Sequence, residues 1–362
     1  MEKKLSARKL SPYTKNSVIS YGIVIGGFLI ATFMNQAGML SSSLQGQLVP
    51  ICAYIVMAVS LNLVVGISGE LSIGHAGFMS IGAFSGILCA DLLEGVVASD
   101  PIRLTCGIIA GGIVSGLAGI LIGIPVLRLR GDYLAIVTLA FGEIIKNLMN
   151  IIYVAKDSRG IHVSTSGDME LEEDARIMLN GPMGAVGVQR ISTFISGVIL
   201  VLITLFIVQN IMNSRQGRAI MACRDNRIAA ESIGLNVMQY KLMAFTVSAV
   251  LAGMGGALFG LNFSSLLPIK FNFNTSVLIL VFVVLGGIGN IWGSVISATI
   301  LTILPEALRQ FSDYRMLVYA IVLILVMIFT YNPTLKTYKE MILNKIKGIF
   351  RKKQAVEGGA SE

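Results

Sequence analysis

Ten apolar runs divide the chain, near residues 18–36, 48–67, 71–90, 103–127, 133–154, 191–212, 240–262, 274–289, 293–311 and 315–331. About 20 apolar residues in a helix cover the ~30 Å of bilayer hydrocarbon, so the pattern predicts about ten transmembrane helices and an all-α polytopic membrane protein. The third and eighth runs are short and punctuated by glycine. That is the pattern of a broken or re-entrant helix, whose backbone must be surrounded by protein or a water-filled path. The runs define a transmembrane domain over 18–331, flanked by polar tails at 1–17 and 332–362. The first tail and run have the outline of a signal peptide, but residues 35–38 offer no small-residue cleavage site, and the run is read as a retained first span.

Polar stretches interrupt the apolar pattern at two places. Residues 215–241 form a basic island carrying Arg215, Arg218, Arg224 and Arg227. Within it Ile220, Cys223, Arg227, Ala230 and Gly234 recur at spacings of three and four, which predicts one short amphipathic helix over 215–236, stopping at Gly234 and Asn236. Such a helix between two spans suits a groove on another protein. Residues 155–190 form a second polar stretch, holding His162 with Asp157, Asp168, Glu170, Glu172, Glu173 and Asp174. It reads as a solvated external loop, a surface able to receive a delivering protein. Lys and Arg concentrate in 1–17, 128–132, 213–239 and 332–362, which places those segments and both termini on the cytoplasmic side.

Composition agrees with the pattern and narrows the function. The 362 residues are 54% hydrophobic and 13% charged, with a mean hydropathy of +0.78, against about 25% charged in a soluble domain. The net charge of +8 lies in segments flanking the runs, without interleaved aromatics, so it reports topology and not nucleic acid. Four scattered cysteines and two isolated histidines support neither a disulfide framework nor a metal site. A multispan enzyme would need a cluster of such groups near one interface.

A few polar residues lie within or beside the runs. Glu143 and Lys146, three apart in the fifth run, share a helix face and can pair, either as structure or at a transport path. Asn62 and Thr138 are candidates for the same two roles, path lining or helix packing. Gly74 and His75 belong to a Gly-rich stretch, residues 66–77, and a second one spans 286–293; glycine there permits tight turns and close backbone approach. Neither stretch is a phosphate loop. A secondary carrier would be expected to bury several carboxylates, and Glu143 is the one available.

Four stretches carry a family resemblance. They are Gly69-Glu-Leu-Ser-Ile-Gly-His-Ala-Gly-Phe-Met-Ser-Ile-Gly-Ala83, residues 127–143 beginning Leu-Arg-Leu-Arg-Gly-Asp-Tyr, the island continued through Gly253, and Gly286-Gly-Ile-Gly-Asn-Ile-Trp-Gly293. In this order they resemble the permeases of branched-chain amino acid ABC transporters over roughly residues 45–331, and the Arg-Leu-Arg-Gly-Asp-Tyr stretch resembles the M-type subunit. The resemblance implies a bacterial plasma-membrane importer. An extracytoplasmic substrate-binding protein delivers Leu, Ile or Val, two paralogous permeases form the path, and two ATP-binding cassette subunits drive it, this chain itself holding no cofactor. Related permeases carry urea, short amides or simple sugars. Import permeases of this kind dock the ATPase through a Glu-Ala-Ala, three residues, Gly pattern. Here Ala229, Ala230 and Gly234 match it, Ile228 stands in place of the glutamate, and Arg224, Arg227 and Glu231 are the candidates to replace it, with Arg218 a further residue of the coupling segment.

Overall fold

A computed structural model of the chain describes residues 12–39, 41–129, 131–157, 160–165 and 175–308, with isolated positions between 314 and 328. The tenth run lies largely outside these residues, as do residues 1–11, the tail 332–362 and the carboxylates Asp168, Glu170, Glu172, Glu173 and Asp174. The described residues up to Ile303 form one compact unit.

Each of the first nine runs falls on a helix. These are α1 (Pro12–Gln36), α2 (Ser42–Asn62), α3 (His75–Leu92), α4 (Asp100–Val126), α5 (Asp132–Ile151), α6 (Phe194–Asn213), α9 (Val237–Gly260), α10 (Phe273–Gly286) and α11 (Ile291–Ala307). Between α6 and α9 lie α7 (Arg215–Asp225) and α8 (Arg227–Ser232). Among the described residues six helices are long and apolar enough to cross a membrane: Ser42–Ser68, which is α2 prolonged by a π-helical turn, and α3, α4, α5, α6 and α9. Helices α10 and α11 are shorter, at 14 and 17 residues.

Helix α9 is the hub, packed against α3, α4 and α2. Lipid offers no hydrophobic drive between helices, so association in a bilayer depends on close van der Waals approach and interhelical hydrogen bonds. Both are present. A Cβ at Gly256 would stand 3.0 Å from Met79 Cα, so the α9 and α3 backbones touch. Ser115 Oγ on α4 donates to the Ala249 carbonyl on α9 at 2.8 Å. The opposite side of α4 leaves Ile109, Ile113, Leu117 and Leu121 exposed at spacings of four, an apolar face for lipid or a neighbouring subunit.

One region departs from the all-α expectation. The stretch read as a solvated external loop folds instead into an antiparallel sheet of order β2-β1-β3, from β1 (Tyr153–Asp157), β2 (Gly160–Ser164) and β3 (Arg176–Asn180). Val154 opposes Val163 on one side and Leu179 on the other. A further two-residue pair, β4 (Ala185–Val186) with β5 (Ser265–Leu266), ties this region to the segment after α9. The β-branched residues of these strands favour pairing once a hairpin brings them together; the carboxylate run of 168–174 hides them in a reading by composition. Arg176 fastens the sheet to the end of α3, pairing with Asp91 at 2.9 Å and with Glu94. Arg103, 5% exposed, joins the same cluster by donating to Gln189 Oε1 at 2.8 Å and to the Ala90 carbonyl at 3.2 Å.

Candidate functional site

The basic island folds as two helices, which corrects the expectation of one. Ser214 caps α7 by accepting the Gly217 N–H at 3.1 Å. The helix stops at Asn226, whose backbone is extended (φ −152°, ψ 102°) and whose Oδ1 accepts the Ala229 N–H at 3.0 Å to start α8. Asparagine's short amide competes with helical hydrogen bonding and favours a cap, which turns a continuous 3.6-residue periodicity into a corner. Helix α8 ends at Gly234, whose φ of +85° is the left-handed conformation of a helix stop. Asn236 then caps α9 through the Gln239 N–H.

The corner sorts the side chains. Cys223, Ala230 and Val237 pack as one buried cluster, with Leu235 and Tyr240 against it; burial pushes the Cys223 thiol up. Facing outward are Ile228, 80% exposed, and Ile233, 74% exposed, together with Ala229, Arg227, Glu231 and Gly234. Arg227 Nε donates to Glu231 Oε1 at 2.7 Å along α8, and Arg218 Nη1 donates back to the Asn213 carbonyl at 3.1 Å. The Ala-Ala-Gly pattern is therefore not one contact face: Ala230 is committed to packing within the chain and Gly234 to the turn. Sequence reasoning did not single out Ile233 or expect Ile228 to project. The available signal was two isoleucines off the buried stripe in a polar segment.

Two polar contacts join the island to the membrane helices. Arg224 Nη1 donates to the Gly66 carbonyl at 2.8 Å, while its Nε and Nη2 both hold Asp225 Oδ1. Lys241 pairs with Glu70, both side chains being about 15% exposed or less. Arg224 thus points toward the end of α2 and not outward with Arg227.

The remaining candidates have partners inside the chain. Asn62 is fully buried; its Nδ2 donates to Ser294 Oγ at 2.9 Å and its Oδ1 accepts the Gly289 N–H at 2.8 Å, binding α2 to the second Gly-rich stretch. His75, 2% exposed, shares a 2.8 Å hydrogen bond with Ser60 through Nε2, and the Ser60 carbonyl accepts from Ser248 of α9. Glu70, five residues before His75, pairs with Lys241 and not with the histidine. Gly74 lies against the Thr138 carbonyl; Thr138 Oγ1 accepts the Ile73 N–H at 3.1 Å. Lys146 pairs with Glu143 Oε2, and Glu143 Oε1 accepts the N–H of Phe273, the first residue of α10. Among the described residues no group of three or more metal-ligating side chains forms.

Six helices of membrane-crossing length, short apolar helices beside them and a folded basic connector are the architecture of a polytopic membrane protein, consistent with a permease. The chain belongs to the family described as branched-chain amino acid transport system / permease component, whose model matches residues 43–327. It is 37% identical over 287 residues to the high-affinity branched-chain amino acid transport system permease protein LivM of Salmonella typhimurium, and 36% identical over 291 residues to that of Escherichia coli K12. Each match spans 76% of this chain and 66% of the relative, just under two thirds of its length. The corresponding permease LivH of Escherichia coli is 33% identical over 118 residues, 32% of this chain and 38% of LivH. No solved structure matches the chain. The family is one of transport permeases and not of enzymes.

Proposed function

We propose that this chain is the membrane-spanning permease subunit of an ABC importer for branched-chain amino acids, in the role that the LivM relatives' name describes. About ten spans over 18–331, with both tails cytoplasmic, fit the positive charge distribution and the six long helices described. The chain pairs with a second, paralogous permease, as the similarity to both LivM and LivH supports. The island docks an ATP-binding cassette subunit, and an extracytoplasmic binding protein delivers Leu, Ile or Val on the side of the β-sheet. The observation that carries the coupling part of this reading is the outward projection of Ile228 and Ile233 from a polar connector otherwise fastened to the bundle. Two large apolar side chains left exposed close together on a polar connector support a contact surface there.

The test is purification of the chain with the products of its neighbouring genes and reconstitution into liposomes. ATP-dependent uptake of labelled leucine, competed by isoleucine and valine but not by urea, short amides or simple sugars, is the expected result. Uptake driven by an ion gradient without ATP would overturn the importer reading, and competition by urea or sugars would reassign the substrate.

A further inference from the structure

We infer that Arg224 is a positioning residue that couples the ATPase-facing connector to the transmembrane helices through the last turn of α2. The inference rests on the reading that α7 and α8 dock an ATPase, and goes on to say where the movement of that connector is received.

Three features of the structure converge there. First, α2 changes from α to π geometry over Leu63–Ser68, a turn buried throughout and closed by Gly69 at φ +75°. π-Turns are rare inside α-helices and recur at functional positions. Second, the Gly66 carbonyl lies in that last turn, where helix geometry leaves acceptors without a following N–H, and the Arg224 guanidinium takes it at 2.8 Å. Asp225 holds the other edge of the guanidinium at 2.8 and 2.9 Å, which fixes its orientation. The stem of Arg224 lies over Gly69, where a Cβ would come within 3.1 Å of Arg224 Cδ. Third, Gly66 is seated on its other side against the turn between α10 and α11. A Cβ at Gly66 would stand 2.7 Å from Gly289 Cα, and Asn62, just before the π-turn, holds the Gly289 N–H and Ser294 Oγ.

A displacement of α7 therefore acts through Arg224 on Gly66, and through Gly66 and Asn62 on the start of α11. The two Gly-rich stretches of the sequence, distant in the chain, are the two sides of this junction. Helices α2, α10 and α11 meet at this junction, and the charge-assisted hydrogen bond from Arg224 to Gly66 ties α7 to it.

Arg224→Met keeps the apolar stem and removes the donor; Arg224→Lys keeps a cationic donor within reach of the carbonyl; Asp225→Asn leaves Arg224 but weakens its orientation. Each is purified as the full complex, and ATPase association, basal ATP hydrolysis and leucine taken up per ATP hydrolysed are measured. Arg224→Met is expected to retain the ATPase and its basal hydrolysis while uptake per ATP falls about tenfold, the scale of one lost charge-assisted hydrogen bond. Arg224→Lys is expected to recover part of that loss, and Asp225→Asn to show a smaller fall. A purely structural cap would lower assembly and hydrolysis together and leave uptake per ATP unchanged; that result in Arg224→Met, or in both other variants if Arg224→Met does not assemble, overturns the inference. Absence of any ATPase from the wild-type complex would instead overturn the docking reading on which it rests.

Discussion

Glu143 engages both carboxylate oxygens, one with Lys146 and one with the first N–H of α10. A carboxylate at a helix N-terminus satisfies an orphan donor and lies favourably in the helix dipole. The residue therefore joins α5 to α10, and the geometry favours a packing role over a role in the path. With side chains 34% and 17% exposed, the pair is too wet for the full cost of a broken buried ion pair, so Glu143→Ala should lower stability by roughly 1–3 kcal/mol. The Glu143→Leu, Lys146→Met double variant leaves no charge unpaired and should melt closer to wild type in detergent, with uptake retained. Normal assembly without uptake in the double variant would assign the pair to the path.

For the connector, the decisive element is α8, a six-residue helix whose inward and outward residues make opposite predictions. Ile228→Ser and Ile233→Ser expose no new cavity and should leave thermal stability within about 0.5 kcal/mol, as surface substitutions do, while releasing the ATPase subunit during purification. Ala230→Leu must overfill the Cys223–Val237 cluster and should destabilise the connector by about 1–3 kcal/mol, as inserted bulk does in a packed core. Melting curves and the ATPase content of the purified complex separate the two effects. Retention of the ATPase by both isoleucine variants would remove α8 from the interface. The pattern Ala229, Ala230, Gly234 was readable in sequence, but its division between packing and surface was not. Only the corner at Asn226 rotates α8 relative to α7 and sends Ala230 inward.

At the scale of the molecule, the β-sheet and the connector should lie on opposite sides of the membrane, since a single span, α6, separates them. Val163, 68% exposed on β2, and Ile233, 74% exposed after α8, are positions to test this. In a background without Cys52, Cys89, Cys106 and Cys223, Val163→Cys should react with an impermeant maleimide on intact cells. Ile233→Cys should react only after permeabilisation. Labelling of both from outside would break the proposed topology.

The apolar runs by themselves determined the helices and, with the polar island and the Gly-rich motifs, the family. Hydrophobic length and local charge bias act within a single segment and need no partner to be read. The three-residue spacing of Glu143 and Lys146 was legible for the same reason: a helix alone brings them together. What only the tertiary structure decided are contacts between segments far apart in the chain. Glu70 finds Lys241, Arg224 finds Gly66, Asn62 finds Gly289 and Ser294, and His75 finds Ser60. The strands of the sheet belong to this second group, because a β-strand is stable only against a partner strand and its pairing register is set across the chain. Polar groups removed from water must be satisfied by whatever the fold brings within reach, and that choice is not written in any one segment.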